Sequence, residues 1–517
     1  MDQYGKIGKT EILTLPLKEE VKVVSGTYTA SGRVLLTYQK EGDGEEYYRL
    51  ATLNDDGTGF LDIYEGEIPK KQGANGIRFM CFQDNRRILL GDYVVECEPD
   101  MDHCTESRLV PVEYPPIAGD GSPYAMRWSE IVVSPDNGHM AWTVLSGISG
   151  SVNLLAELVR KEDRYCLEHV QEIGDGQILV PEEGNPGYSR LNVVRGGEIK
   201  QFVRGGRALS LAGMGAETKI ADSVVQALDS EEVLQITHTP CYDETTILSP
   251  DEKLGIVMST RFSPGTNCAI LALVPRPYMR LSLMNVILPV YMFSVASVRQ
   301  QGEGNIGPAL IELDRSMEEE GYLGIDLSDP EGRWVYHSPM SWHPDSKRAM
   351  WVERERGGGR GRLRIVWLPE YSVSQPVSPA KVPEHIPYGH PVDCIRPMSH
   401  ETADTVRIRG GHSGEFHGHT LEDGERRYDY KRYSDDGKTF YQGWECFRRL
   451  EDGCIYRADL TVDGEQQGRM DLQVYFAQEN MWSPVTLDFT KGEDGLPRTR
   501  GYAQWQGERL DLAQSAL

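Results

Sequence analysis

Four stretches of this 517-residue chain share one grammar: SPDNGHMAWT (134–143), SPDEKLGIVMST (249–260), HPDSKRAMWVE (343–353) and SDDGKTFYQGW (434–444). Weaker copies read ASGRVLLTYQ (30–39), QDNRRILLGDY (83–93) and DPEGRWVYHS (329–338). Each joins a Ser/His-Pro-Asp or Asp-Gly reversal to a short segment whose side chains alternate. Proline presets φ for a tight turn, and Asp, Asn and Gly accept its remaining strained positions. The alternation has the period of a strand. No long stretch carries a convincing helical period, and the best helix candidate, 216–228, is short.

The strong copies recur at about one or two multiples of a four-stranded blade. The expected fold is therefore all-β, a β-propeller of about seven four-stranded blades, with eight as the competitor. The turn grammar resembles the TolB-like β-propeller repeat, whose SPDGK-type turn joins the first two strands of a blade, and the resemblance runs from about residue 20 to 460. The propeller is expected over 1–465, with insertions at 94–123 and 369–410. Alternating strands over 466–517 would close the ring or form a small β-element.

The charge balance, 54 basic against 79 acidic residues, gives −25, a field that repels nucleic acid and anionic membrane surfaces. Nine cysteines without a C-x-x-C pair fit reduced thiols in a cytoplasmic protein. The N-terminal MDQYGKIGKTEILTL lacks the basic and apolar regions of a signal peptide. The apolar run 281–298 carries Asn285, Pro289 and three serines, so two buried strands joined at Pro289 are expected rather than a membrane span.

In a propeller the first strand of each blade lines the central channel. On that basis His337 belongs to an inner strand, whereas His343 takes the turn position that Ser134 and Ser249 hold elsewhere. The matching inner strands YAMRWSEIVV, THTPCYDETTIL and RRYDYKRY would bring Arg127, Glu130, His238, Tyr242, Asp243, Glu244, Tyr428 and Tyr430 towards the axis. Such groups take up a proton, donate one, or hold a developing oxyanion. A second cluster lies in GGHSGEFHGHT (410–420). There His417 and His419 share one strand face, with His412 and Glu415 nearby, a donor set suited to Zn²⁺ or Mn²⁺.

Phosphate loops, nucleophile elbows, H-E-x-x-H and a G-x-G-x-x-G following a strand are missing from the sequence, which argues against a nucleotide cofactor. GGGRG (357–361) reads as a hairpin loop. HSPMSWHPDSK is similar to the H-x-x-W-S-P-D-G-K inner strand and turn of oligogalacturonate lyase-type propellers. That resemblance implies β-elimination with inner-strand histidines, a metal and a basic residue. The expectation is an enzyme at the channel mouth, lyase-type or hydrolytic, acting on a small carbohydrate-like or polar organic substrate. The alternative is a propeller scaffold that binds a protein or small molecule without chemistry.

Overall fold

The computed structural model describes residues 5–70, 78–116, 126–146, 150–174, 179–192, 196–213, 220–266, 268–283, 285–300, 304–319, 321–392, 405–480 and 483–514. Among these residues six four-stranded antiparallel meanders follow one another along the chain. Their inner strands are Lys22–Tyr28, Phe79–Cys81, Met126–Val133, Gly197–Val203, Asp243–Leu248 and Trp334–Trp342. The outermost strand of the sixth meander is the N-terminal Glu11–Thr14, paired antiparallel to Gly361–Trp367. That pairing and the packing of Lys22–Tyr28 on the sixth sheet close the ring of a β-propeller. Six such sheets are described, not the seven expected.

The apolar pattern explains why the sheets stack. Leu35 packs with Ile88 and Val95 of the second sheet, while its neighbours Val34 and Leu36 pack with Met350 and Val352 of the sixth. Likewise Val132 meets Ile199 and Leu211 of the fourth sheet, and Ile131 meets Val94 and Val110 of the second. A sheet covered on both faces needs nearly continuous apolar strands, and period-2 geometry sends adjacent residues into different cores. The recurrent turn places Gly32, Asn85, Asn137, Glu252 and Ser346 at positive φ. Its hydrogen bonds repeat too. Ser134 Oγ accepts the His139 amide at 2.9 Å, and Ser249 Oγ accepts that of Leu254 at 3.0 Å.

Several expectations are corrected. The SDDGK stretch also reverses the chain, with the Gly437 amide on Ser434 Oγ at 3.0 Å, but in a separate nine-stranded sheet spanning Thr405–Arg409 to Glu508–Asp511. The last strand of the six meanders thus ends at Trp367, well before 465, and among the described residues only the short His390–Pro391 adds to the third sheet after it, beside Tyr165–Gly174. The expected insertion at 94–123 holds Tyr93–Glu98 and Glu106–Glu113, the outer strands of the second sheet. The helix candidate 216–228 contains the strand Asp222–Ala227.

The apolar run is helical rather than two strands, with turns at Met279–Leu283, Ile287–Tyr291, Met292–Ser297 and Val298–Gln300. Pro289 sits in the first turn of its helix, where a missing N–H removes no helical bond. Ser294 and Ser297 hydroxyls donate to the Thr266 and Met292 carbonyls. These turns fill the connection between Leu254–Ser259 and Ala309–Glu312 and pack beneath the nine-stranded sheet. No described helix is long and apolar enough to cross a membrane.

Candidate functional site

Five of the six inner strands lose register against their partner strand before they reach the turn. The breaks fall at Val23/Ser25, Met126/Glu130, Ile199/Gln201, Asp243/Thr246 and His337/Met340. A bulge leaves residues unpaired and re-aims their side chains. The residues in or bordering these breaks include Glu130, Lys200 and Glu244, which bring charge from three consecutive strands together, and the imidazole of His337.

Lys200 is the centre. Its side chain is 1% exposed, and its ammonium donates to Glu130 at 3.1 Å, Glu198 at 3.0 Å and Glu244 at 3.3 Å. Those carboxylates come from three consecutive sheets. Arg78, just ahead of the second sheet's inner strand, pairs with Glu130 at 2.6 Å. The Tyr242 hydroxyl donates to Glu244 at 3.3 Å, and the Tyr291 ring from the helical insertion lies 6.3 Å from that of Tyr242. Tyr336, buried on the sixth sheet, completes the circle, and its backbone carbonyl accepts Arg299 Nε at 3.3 Å.

These neighbours split the proton affinities of like groups. Burial opposes the charge on Lys200, yet the three carboxylates outweigh it and hold the ammonium well above its ordinary value. Burial likewise opposes ionisation of Glu130, but Arg78 and Lys200 pull its carboxyl below the usual range. Glu198 goes the other way: burial, reinforced by the charges of Glu244 and Glu130, exceeds the pull of Lys200 and raises it. Its side chain is also the most accessible of the three, at 32% exposure. Tyr242 is pushed up by burial and by Glu244, so it stays a phenol. Burial, then Arg299 and Arg354, press His337 down to about 3, leaving a neutral imidazole.

Of the residues expected at the axis, Glu130, Tyr242 and Glu244 come together around Lys200, and His337 lies one residue beyond Tyr336. His238 sits in the connection before Asp243–Leu248, not on the strand. Asp243 is sealed in an ion pair with Arg261 at 2.7 Å, both fully buried. Arg127 lies on Met126–Val133, and its side chain falls outside the described residues. Tyr428 and Tyr430 are corrected: their strand, Arg426–Ser434, belongs to the nine-stranded sheet, where both are buried. Lys200, Glu198, Arg78 and Tyr291 were missed. The one sequence signal was EIKQF (198–202), two charges two apart in a strand whose turn lacks the Pro-Asp signature.

The expected metal cluster is also redrawn. His417 and His419 project from the same face of Ser413–Thr420 with rings 4.8 Å apart, and Asp429 stands opposite His417 on the next strand. Ligand atoms of these three lie within 4.8 Å of one another. Burial first, then the Lys431 and His419 charges, lowers His417. Glu415 is taken up by Arg407 at 2.6 Å and Lys431 at 3.3 Å, and His412 packs against Phe440 instead. A separate groove of 860 Å³ lies between the outer strands of the second and third sheets and the 384–392 segment, lined in part by Tyr114, His169, His385 and Pro391. It lacks convergent charge of the axial kind.

No family model matches the chain, and no curated protein matches it. Among solved structures it is similar to a putative TolB from Agrobacterium tumefaciens, at 9% identity over 65% of this chain and 89% of that one, with a TM-score of 0.32. It is similar to an oligogalacturonate lyase in complex with manganese, at 10% identity over 69% of this chain and 93% of that one, TM-score 0.35. It is also similar to prolyl oligopeptidase B from Galerina marginata, at 8% identity over 79% of this chain and 47% of that one, TM-score 0.30.

Proposed function

We propose that this protein is an enzyme that moves protons on a small polar organic molecule at the Lys200 cluster, as a lyase-type elimination. The carrying observation is one buried ammonium held by three carboxylates from consecutive sheets, with opposite shifts on Glu130 and Glu198. A carboxyl pushed up as Glu198 is suits the acid role. Glu198 is the proton donor to a leaving oxygen, and Glu244, steadied by the Tyr242 hydroxyl, takes the carbon-bound proton. Lys200 is the fixed positive charge for the oxyanion that develops between them. In balance, the C–H bond breaks to Glu244, its electrons form the new C=C bond, and the C–O bond breaks with the proton of Glu198. Unbridged cysteines among the described residues support a reducing, cytoplasmic setting. A divalent metal, in this reading, belongs to the nine-stranded sheet and takes no part in these proton transfers.

The test is turnover of a panel of hydroxy acids and sugar acids, followed by absorbance of the conjugated product. Glu198→Gln is expected to lower kcat about 10²–10⁴-fold, the usual contribution of a positioned acid. Its stability should hold or rise at neutral pH. The sign follows from the raised folded pKa: the group's contribution is present below 4.5 and is lost as pH rises through the folded value, a loss that glutamine does not suffer. Full activity in Glu198→Gln would remove the acid role. No turnover on any compound would favour the second reading, a binding scaffold, for which the 860 Å³ groove is the supporting feature.

A further inference from the structure

The outer face of the nine-stranded sheet carries a site unrelated to the axial cluster. On Ser413–Thr420, Phe416 and Gly418 turn into the core, while Glu415, His417 and His419 face outward. The neighbouring Arg426–Ser434 alternates in step, burying Tyr428 and Tyr430 and sending Arg427 and Asp429 to the same outer face. His419 Nδ1 is closed off from solvent and has no hydrogen-bond partner. It faces Asp429 Oδ2 at 3.7 Å, too far for a hydrogen bond. Ligands of a tetrahedral zinc ion, each bonded at about 2.0–2.2 Å, stand roughly 3.3 Å apart, so small side-chain rotations bring this pair into range. Arg427 occupies only the other carboxylate oxygen, Oδ1, at 3.0 Å. Lys431, 3.4 Å from His417 Nδ1, is an exposed side chain free to swing away.

We propose that His417, His419 and Asp429 bind one borderline divalent ion of the zinc class, with a fourth position open to water. Two imidazoles and one carboxylate suit Zn²⁺ or Co²⁺ and disfavour Mg²⁺ and Ca²⁺, which take all-oxygen sets. The site is independent of the axial acid–base reading, and loss of either leaves the other standing. The experiment titrates the metal-stripped full chain with Co²⁺, following visible d–d bands, and with Zn²⁺ by calorimetry. One equivalent is expected to bind, and Asp429→Asn and His419→Gln are each expected to weaken it roughly tenfold or more, at least what outer-shell changes cause at such sites. His412→Ala should bind as the parent does. Absence of stoichiometric binding by the parent chain overturns the site, as does undiminished binding by both ligand variants with native circular dichroism.

Discussion

The Arg276–Glu445 pair in the nine-stranded sheet and the Lys200 cluster at the propeller axis are both buried charge, built to different ends. Arg276 and Glu445 are fully buried, 3.1 Å apart. Every group around them is answered: Tyr430 and Tyr456 hydroxyls donate to the carboxylate at 3.0 and 2.5 Å, and Arg276 also donates to the Val274 and Leu271 carbonyls. At the axis two cations, Lys200 and Arg78, answer three carboxylates, and Glu198 reaches solvent. A sealed and satisfied pair ties the helical insertion to the sheet. A cluster with more carboxylates than its two cations can neutralise, open at one corner, keeps a proton available for transfer.

The comparison breaks first at Arg276. Arg276→Met strands a buried carboxylate and should lose about 3–5 kcal/mol in chemical denaturation. Adding Glu445→Leu should recover part of this, limited by the two tyrosine hydroxyls left unpaired. A loss near zero for the single variant would show that the pair is not sealed.

Lys200→Met should lose less, roughly 2 kcal/mol at neutral pH, because Glu198 turns to water or keeps its proton. The folded pKa of Lys200 lies above 10.5, so its contribution is complete below 10.5 and is lost as pH rises through the folded value. The gap between variant and parent should therefore close in strong alkali. It should also narrow in acid, where protonated carboxyls no longer need the cation. A gap that stays constant from acid to alkali would contradict the cluster as drawn.

The smallest effects sharpen the two histidines of the 336–353 stretch. His343 Nδ1 accepts the Asp345 amide at 3.0 Å, and its ring meets Tyr28 edge-on at 5.0 Å. His343→Ala should lose about 1 kcal/mol with activity kept. His337, neutral and beside two arginines, should change stability by about half a kcal/mol or less on mutation to Ala, with turnover reduced. A larger melting-temperature drop for His337→Ala than for His343→Ala would reverse these roles.

The all-β architecture and its turns were legible because turn chemistry is local: Pro, Asp and Asn act within four residues. The same locality misled at Ser434 to Gly437, where a similar sequence reverses the chain in a different sheet and Tyr428 and Tyr430 were drawn to the axis. Glu130, Tyr242 and Glu244 were found by strand alignment. Lys200 escaped because its sheet turns through Arg204–Gly206 without the Pro-Asp signature. The metal trio was two-thirds legible, since His417 and His419 share a strand, but Asp429 faces His417 only through strand register.

Turn chemistry and alternation along the chain were enough to place most of the strands and their reversals, because both are written in neighbouring residues. The tertiary structure alone decided which strands form the ring, that residues 281–298 coil into helical turns, and that Lys200 meets carboxylates from three sheets. The physical reason is range. A turn is settled by the dihedral preferences of a few consecutive residues, whereas a buried ammonium is settled by the charges that distant strands bring within about 3 Å of it.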